Sequence, residues 1–206
     1  MQLLGEVRKR ECRLFAEAWQ RWRGNDLVPR RSSIHIEDIA KLLHLVSVIE
    51  IVSQDEARFR IAGTALCQSL NIELTGLNYF DFTTPEERGP RTARTHQLVD
   101  QPCGSHFVFP ILYGTGRTVP TEILTFPVWP DDHSAPRQLF AIAMPLEDVR
   151  LEGPAETPDQ LPLPEGFQFI DIGAGVPDDS LALNDRPPAL FPMGQPVEDH
   201  GEMVGG

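Results

Sequence analysis

The chain has 206 residues, 41% of them hydrophobic, and a net charge of −12. That is enough for one soluble core with an appendage and too little for two ordinary domains. The acidity is concentrated: residues 151–206 hold 11 acidic residues and one basic one, Arg186, leaving residues 1–150 with 17 basic and 19 acidic, so a tail that repels phosphates argues against a nucleic-acid partner.

In chain order, Leu3–Trp22 carries few breakers. Leu4, Val7, Leu14, Phe15, Ala18, Trp19 and Trp22 fall mostly on one face, which predicts an amphipathic helix ending near Gly24-Asn25. That stripe either covers the sheet of its own domain or docks a second molecule. Tryptophan is enriched at interface hot spots, so Leu14, Phe15, Trp19 and Trp22 are the interface candidates. Asp38–Leu43 fits a short helix, Leu45–Ser53 a first strand and Ala57–Ala62 a second. In the second, Phe59 and Ile61 share one face, and Arg58 and Arg60 the other. The turn at Asp55-Glu56 makes these strands a hairpin, because parallel pairing would need a crossover of a dozen residues.

Gly63–Phe82 supplies short helices with Leu66, Leu70, Leu74 and Leu77 on one side and Phe80 and Phe82 at the end. Thr84-Pro85-Glu86-Glu87 then carries helix-start chemistry: a capping hydroxyl, proline at the first helical position and carboxylates over free amides. The helix it opens runs to about Val99, before Gln101-Pro102. Three strands follow, His106–Tyr113, Val119–Trp129 and Gln138–Met144, with Gly114-Thr115-Gly116-Arg117 as a hairpin turn. Nine of the 19 prolines lie in residues 151–206, which predicts a largely disordered tail. Its interruption, Gly166–Gly173 (GFQFIDIG), reads as a short strand that packs back on its own domain or adds to a partner's sheet edge.

The order of Ile61–Glu87, strand end, Gly63-Thr64, short helices, Leu74-Thr75-Gly76, aromatic-Asp and then Pro-Glu-Glu, resembles the first half of a PAS domain. Further residues carry the likeness: Trp19 and Trp22, then Pro29, Arg30, Arg31, Ser32, Ile34, Asp38 and Ile39, then Arg58 and Arg60. The chain is most similar to the bacterial family of short, free-standing PAS proteins, over about Glu17–Asp148. The resemblance implies an α+β fold: a five-stranded antiparallel sheet with flanking helices in residues 27–150, preceded by the amphipathic helix within 1–26 and followed by the acidic tail. It also implies a central pocket, for which Leu66, Leu70, Phe80, His96, Phe107, Phe109, Ile123, Thr125 and Ala141 are the lining candidates. Such a lining suits a small, mostly apolar ligand.

Individual chemical residues add little to this. Cys12, Cys67 and Cys103 contain no CxxC pair and sit at no metal-ligand spacing. Haem-binding PAS proteins donate their axial histidine from the helix that here carries His96. Flavin-binding relatives place a cysteine in an Asn-Cys-Arg-Phe-Leu-Gln string. Around Cys67 the string is Ala-Leu-Cys-Gln-Ser-Leu, so flavin photochemistry is not expected. Cys103 and His106 lack a third orienting group, and Glu122, within TEILTFPVW, needs a partner such as Tyr113 or a ligand donor if it is buried. No nucleotide, nucleophile-elbow or kinase motif is present.

The expectation is therefore a cytoplasmic sensory or adaptor protein, not an enzyme, with no catalytic residues and no metal. It would act on a signalling protein such as a sensor kinase or another regulator, and form a homodimer through its N-terminal helix. MQLLGEVRKREC lacks the apolar core of a signal peptide, and no run approaches the ~20 apolar residues of a membrane helix. The alternatives are a haem or redox sensor using His96 or Cys67/Cys103 and, third, a small hydrolase or isomerase.

Overall fold

The computed structural model describes residues 6–83, 85–113, 116–147 and 165–178. The predicted cap at Thr84, the hairpin tip at Gly114-Thr115, and the tail at 151–164 and 179–206 lie outside the described residues.

Six strands form one antiparallel sheet: β1 Val46–Ser53, β2 Glu56–Ile61, β3 Gly104–Leu112, β4 Thr118–Val128, β5 Gln138–Pro145 and β6 Glu165–Ile170, in the order β2-β1-β5-β4-β3-β6. The five predicted strands are all present. The sixth is the Gly166–Gly173 segment, which pairs with β3 of its own chain. Its Phe and Ile residues alternate across an available edge, and burying them outweighs the polar composition around them.

Side-chain alternation divides the core into two layers. On the outer face, Val46, Val48, Leu124, Phe126, Val128, Phe140 and Ile142 pack against helix α1, Arg10–Arg23. On the inner face, Ile49, Ala57, Phe59, Phe109, Ile111 and Leu139 pack against α2, Thr64–Leu70, the 3-10 turn Tyr79–Asp81, and α3, Pro85–Asp100. Sequence places apolar side chains on both faces of the central strands, and each face receives a helical cover.

Helix α1 settles where its tryptophans go. Phe15, Trp19 and Trp22 are buried on the chain's own sheet, and of the four interface candidates Leu14 alone is exposed. Trp19 stacks on Phe126 with ring centroids 4.6 Å apart, and its Nε1 donates to the Pro127 carbonyl at 2.9 Å. Trp22 Nε1 donates to Asp38 at 2.9 Å, tying α1 to the 3-10 helix Ile36–Leu45. The helix also starts at Arg10 rather than Leu3, and ends at Gly24, whose φ of 55° is a conformation that favours glycine.

Other features of the sequence pattern have local causes. Pro29-Arg30-Arg31-Ser32 is stitched to the end of β4: Trp129 N donates to Pro29 O and Arg31 N to Trp129 O, each at 2.9 Å. Asp131 accepts from the Ser32 hydroxyl at 2.6 Å. At Gly63 a Cβ would lie 2.6 Å from the His44 carbonyl oxygen, so only glycine lets α2 approach so closely. One alternation differs from expectation. Irregular β1–β2 pairing sets Phe59 opposite Ile49 but Ile61 opposite Val48, so Phe59 is buried while Ile61 is exposed. No helix among the described residues is long and apolar enough to cross a membrane.

Candidate functional site

Two features of the sheet stand out chemically, and they lie back to back on β4. On the inner side, a cavity of about 200 Å³ opens between α2 and the ends of β4 and β5. Its polar lining comes from His44, Gln68, Ser69, Tyr113 and Thr121, its apolar lining from Leu45, Ala65, Leu66, Ala143, Met144 and Pro145. Small side chains explain the space: Ala65 and Ser69, one helical turn apart on α2, face the strand ends where Ala143 stands. The volume is below the roughly 300 Å³ at which drug-sized pockets begin. Among the described residues no carboxylate, lysine or arginine lines it, so the lining described suits a small uncharged ligand with a few polar groups.

Of the nine predicted lining residues, Leu66 alone lines this cavity. Leu70, Phe80 and Phe109 are buried in the inner core, and Thr125 is buried on the inner face of β4. Phe107, Ile123 and Ala141 are half-buried on the same face. In the region that the resemblance assigns to a pocket, Phe59 meets Tyr79 and Phe82 edge-on with centroids 5.8 and 5.9 Å apart. Sequence reasoning missed His44, Ser69 and Ala143, because their convergence depends on how α2 packs. The glycine at 63 was the available signal that α2 lies hard against residues 44–46.

His96 is half-buried, with its Nε2 3.1 Å from the Gln54 carbonyl oxygen. It joins α3 to the β1–β2 hairpin instead of facing the cavity. Cys103 is buried. Burial, and after it the charge of Asp171, pushes its thiol up to about 12, which leaves it protonated and a poor nucleophile near neutral pH. Cys103 and His106 stand on opposite faces of the sheet: Cys103 is in the inner core, and His106 reaches Glu122 on the outer side. Cys67 is half-buried on α2, its Sγ 3.9 Å from Glu73. Among the described residues no group of three or more His, Cys, Asp or Glu could hold a metal ion.

The second feature is Glu122, fully buried on the outer side of β4. Its carboxylate accepts from the backbone N–H of Arg8 at 2.7 Å and of Lys9 at 2.8 Å, and from His106 Nε2 at 2.9 Å. Burial alone would raise the pKa of Glu122; the hydrogen bonds from His106, Arg8 and Lys9 outweigh that and hold it at about 2. Burial first, and then the Glu122 charge, pushes the Cys12 thiol up. Glu122 thus supplies the cap that α1 lacks locally, since the N-cap residue Lys9 makes no side-chain capping bond. A carboxylate there also offsets the basic run Arg8-Lys9-Arg10 at the positive end of the helix dipole.

A single antiparallel sheet with helices on one face, a small cavity at its rim and a leading helix across the other face makes an α+β domain. Residues 7–143 match the PAS domain family, and the chain belongs to it. The match runs from just before α1 into β5, ending two residues short of that strand's end, and excludes β6. No curated protein matches the chain.

Proposed function

We infer that this chain is a sensory module of signal transduction: a small, uncharged ligand enters the cavity between α2 and the sheet, and the response passes by non-covalent contact to another signalling protein, such as a sensor kinase. The observation that carries this reading is the position of the cavity. Thr121 lines it, and the next residue, Glu122, points through to the other face, where it holds the start of α1. A ligand that shifts β4 by a fraction of an ångström therefore acts on the cap of α1, and its occupancy biases two attitudes of that helix. The reading assigns no bond-making chemistry to the chain.

A thermal-shift screen of small neutral compounds tests it, run in parallel on the wild-type chain and on Ser69→Trp, which fills the cavity from α2. At 100 times its dissociation constant a bound ligand stabilises by about 2.7 kcal/mol, which raises the melting temperature by several degrees. Hits on the wild type should leave Ser69→Trp unmoved. Equal shifts in both would place binding elsewhere and refute the cavity as the sensing site.

A further inference from the structure

The strand β6 is held as a bound peptide is held. It lies outside the family-matched residues, and the five-strand order β2-β1-β5-β4-β3 is complete without it. Its backbone pairs along the edge of β3, Gly104 opposite Ile170, Ser105 opposite Phe169 and His106 opposite Gln168. Phe167 lies between Phe107, 5.4 Å away by ring centroids, and the Arg94 guanidinium, 5.3 Å from its ring. Ile170 and Ile172 enter the outer core, and Arg23 donates to the Ile172 carbonyl at 2.6 Å.

Its tether is far longer than the gap it crosses. Met144, Glu122, Val108 and Glu165 form one row across β5, β4, β3 and β6. Three inter-strand spacings, about 14 Å, therefore separate the end of β5 from the start of β6. The 19 residues 146–164 join them, and extended they would reach roughly 60 Å. Nineteen residues are long enough for β6 to reach either the β3 edge of its own chain or that of a neighbouring molecule.

We propose that the β3 edge accepts β6 from a second copy of this chain as well as from its own, giving a two-fold dimer by reciprocal exchange. A second copy carries the identical segment, so the main-chain pairing and the aromatic and aliphatic packing that β6 gives up in cis are remade in trans. Only the effective concentration of the tethered strand favours the closed monomer, and exchange of an identical element is a low-cost route to a symmetric dimer. The occupant is fixed by the side-chain pattern the edge already selects: aromatics at 167 and 169 toward the inner face, isoleucine at 170 toward the outer. Strand exchange of this kind does not depend on whether the cavity holds a ligand.

The test uses full-length chains, heavy-isotope-labelled and unlabelled, each with a photo-crosslinking amino acid in place of the exposed Gln168. They are mixed over a range of concentrations, and a second set is unfolded and refolded together so that slow strand release does not hide exchange. After irradiation, crosslinked β6–β3 peptides are weighed. The expected result is heavy–light hybrid peptides joining residue 168 to the neighbourhood of His106, their share rising with protein concentration. Crosslinks confined to one isotope at every concentration in both sets would overturn the proposal, as would hybrids that join residue 168 to any element other than β3.

Discussion

Trp19→Ala is expected to destabilise the chain by about 4 kcal/mol in urea unfolding, in the range for truncating a fully buried tryptophan. The indole is entirely enclosed, stacks on Phe126 and donates to the Pro127 carbonyl. Its removal opens a cavity between α1 and the sheet and leaves that carbonyl without its donor. Since native domains are stable by only about 5–15 kcal/mol, such a loss brings the variant near the threshold of folding. A cost under about 1 kcal/mol, accompanied by a change in subunit number, would show that Trp19 serves an intermolecular contact instead of this core.

The second large effect belongs to Glu122. Glu122→Ala should cost about 3 kcal/mol or more, because it strips the acceptor from two amides at the start of α1 and from a buried histidine. Glu122→Gln should cost less, since its carbonyl still accepts. The pH dependence separates charge from shape. The folded-state pKa lies near 2, below the ordinary 4.5, so this carboxylate's stabilisation is fully present above about pH 4.5 and is lost as the pH falls toward 2. Wild-type stability should therefore drop more steeply across that interval than that of Glu122→Gln, whose amide does not titrate. Parallel acid profiles would mean that the buried charge contributes nothing to holding α1.

What the sequence made legible follows the range of the interactions involved. The first five strands and α3 were readable to within a residue or two, because alternation and helix-start chemistry are local signals; β5 begins at Gln138 and α3 at Pro85, as expected. The Trp19 stripe was visible as a stripe, but its destination was not, since the same pattern serves a domain's own sheet and a partner's surface. The role of Glu122 was hidden more deeply. Two of its donors are backbone N–H groups more than 110 residues away, and a main-chain donor leaves no mark in the side-chain pattern. His106 was recoverable from strand register: the β3–β4 hairpin sets Leu124 opposite His106 and Glu122 opposite Val108, a diagonal within reach of an imidazole. The cavity beside α2 left no mark in the sequence, because residue type indicates which side chains are apolar, while the packing of α2 decides where space remains beside it.

The proposed function rests on the two sides of β4: a small cavity behind Thr121 and the hold on the start of α1 at Glu122, joined by one peptide unit. Native mass spectrometry of freshly purified full-length protein, set against its denatured mass, tests the sensing claim most directly. The account predicts a mass excess that disappears on denaturation and is missing from Ser69→Trp, corresponding to a small molecule held in the cavity. An excess that persists in Ser69→Trp, or bare wild-type protein that also fails to take up any compound supplied to it, would contradict it.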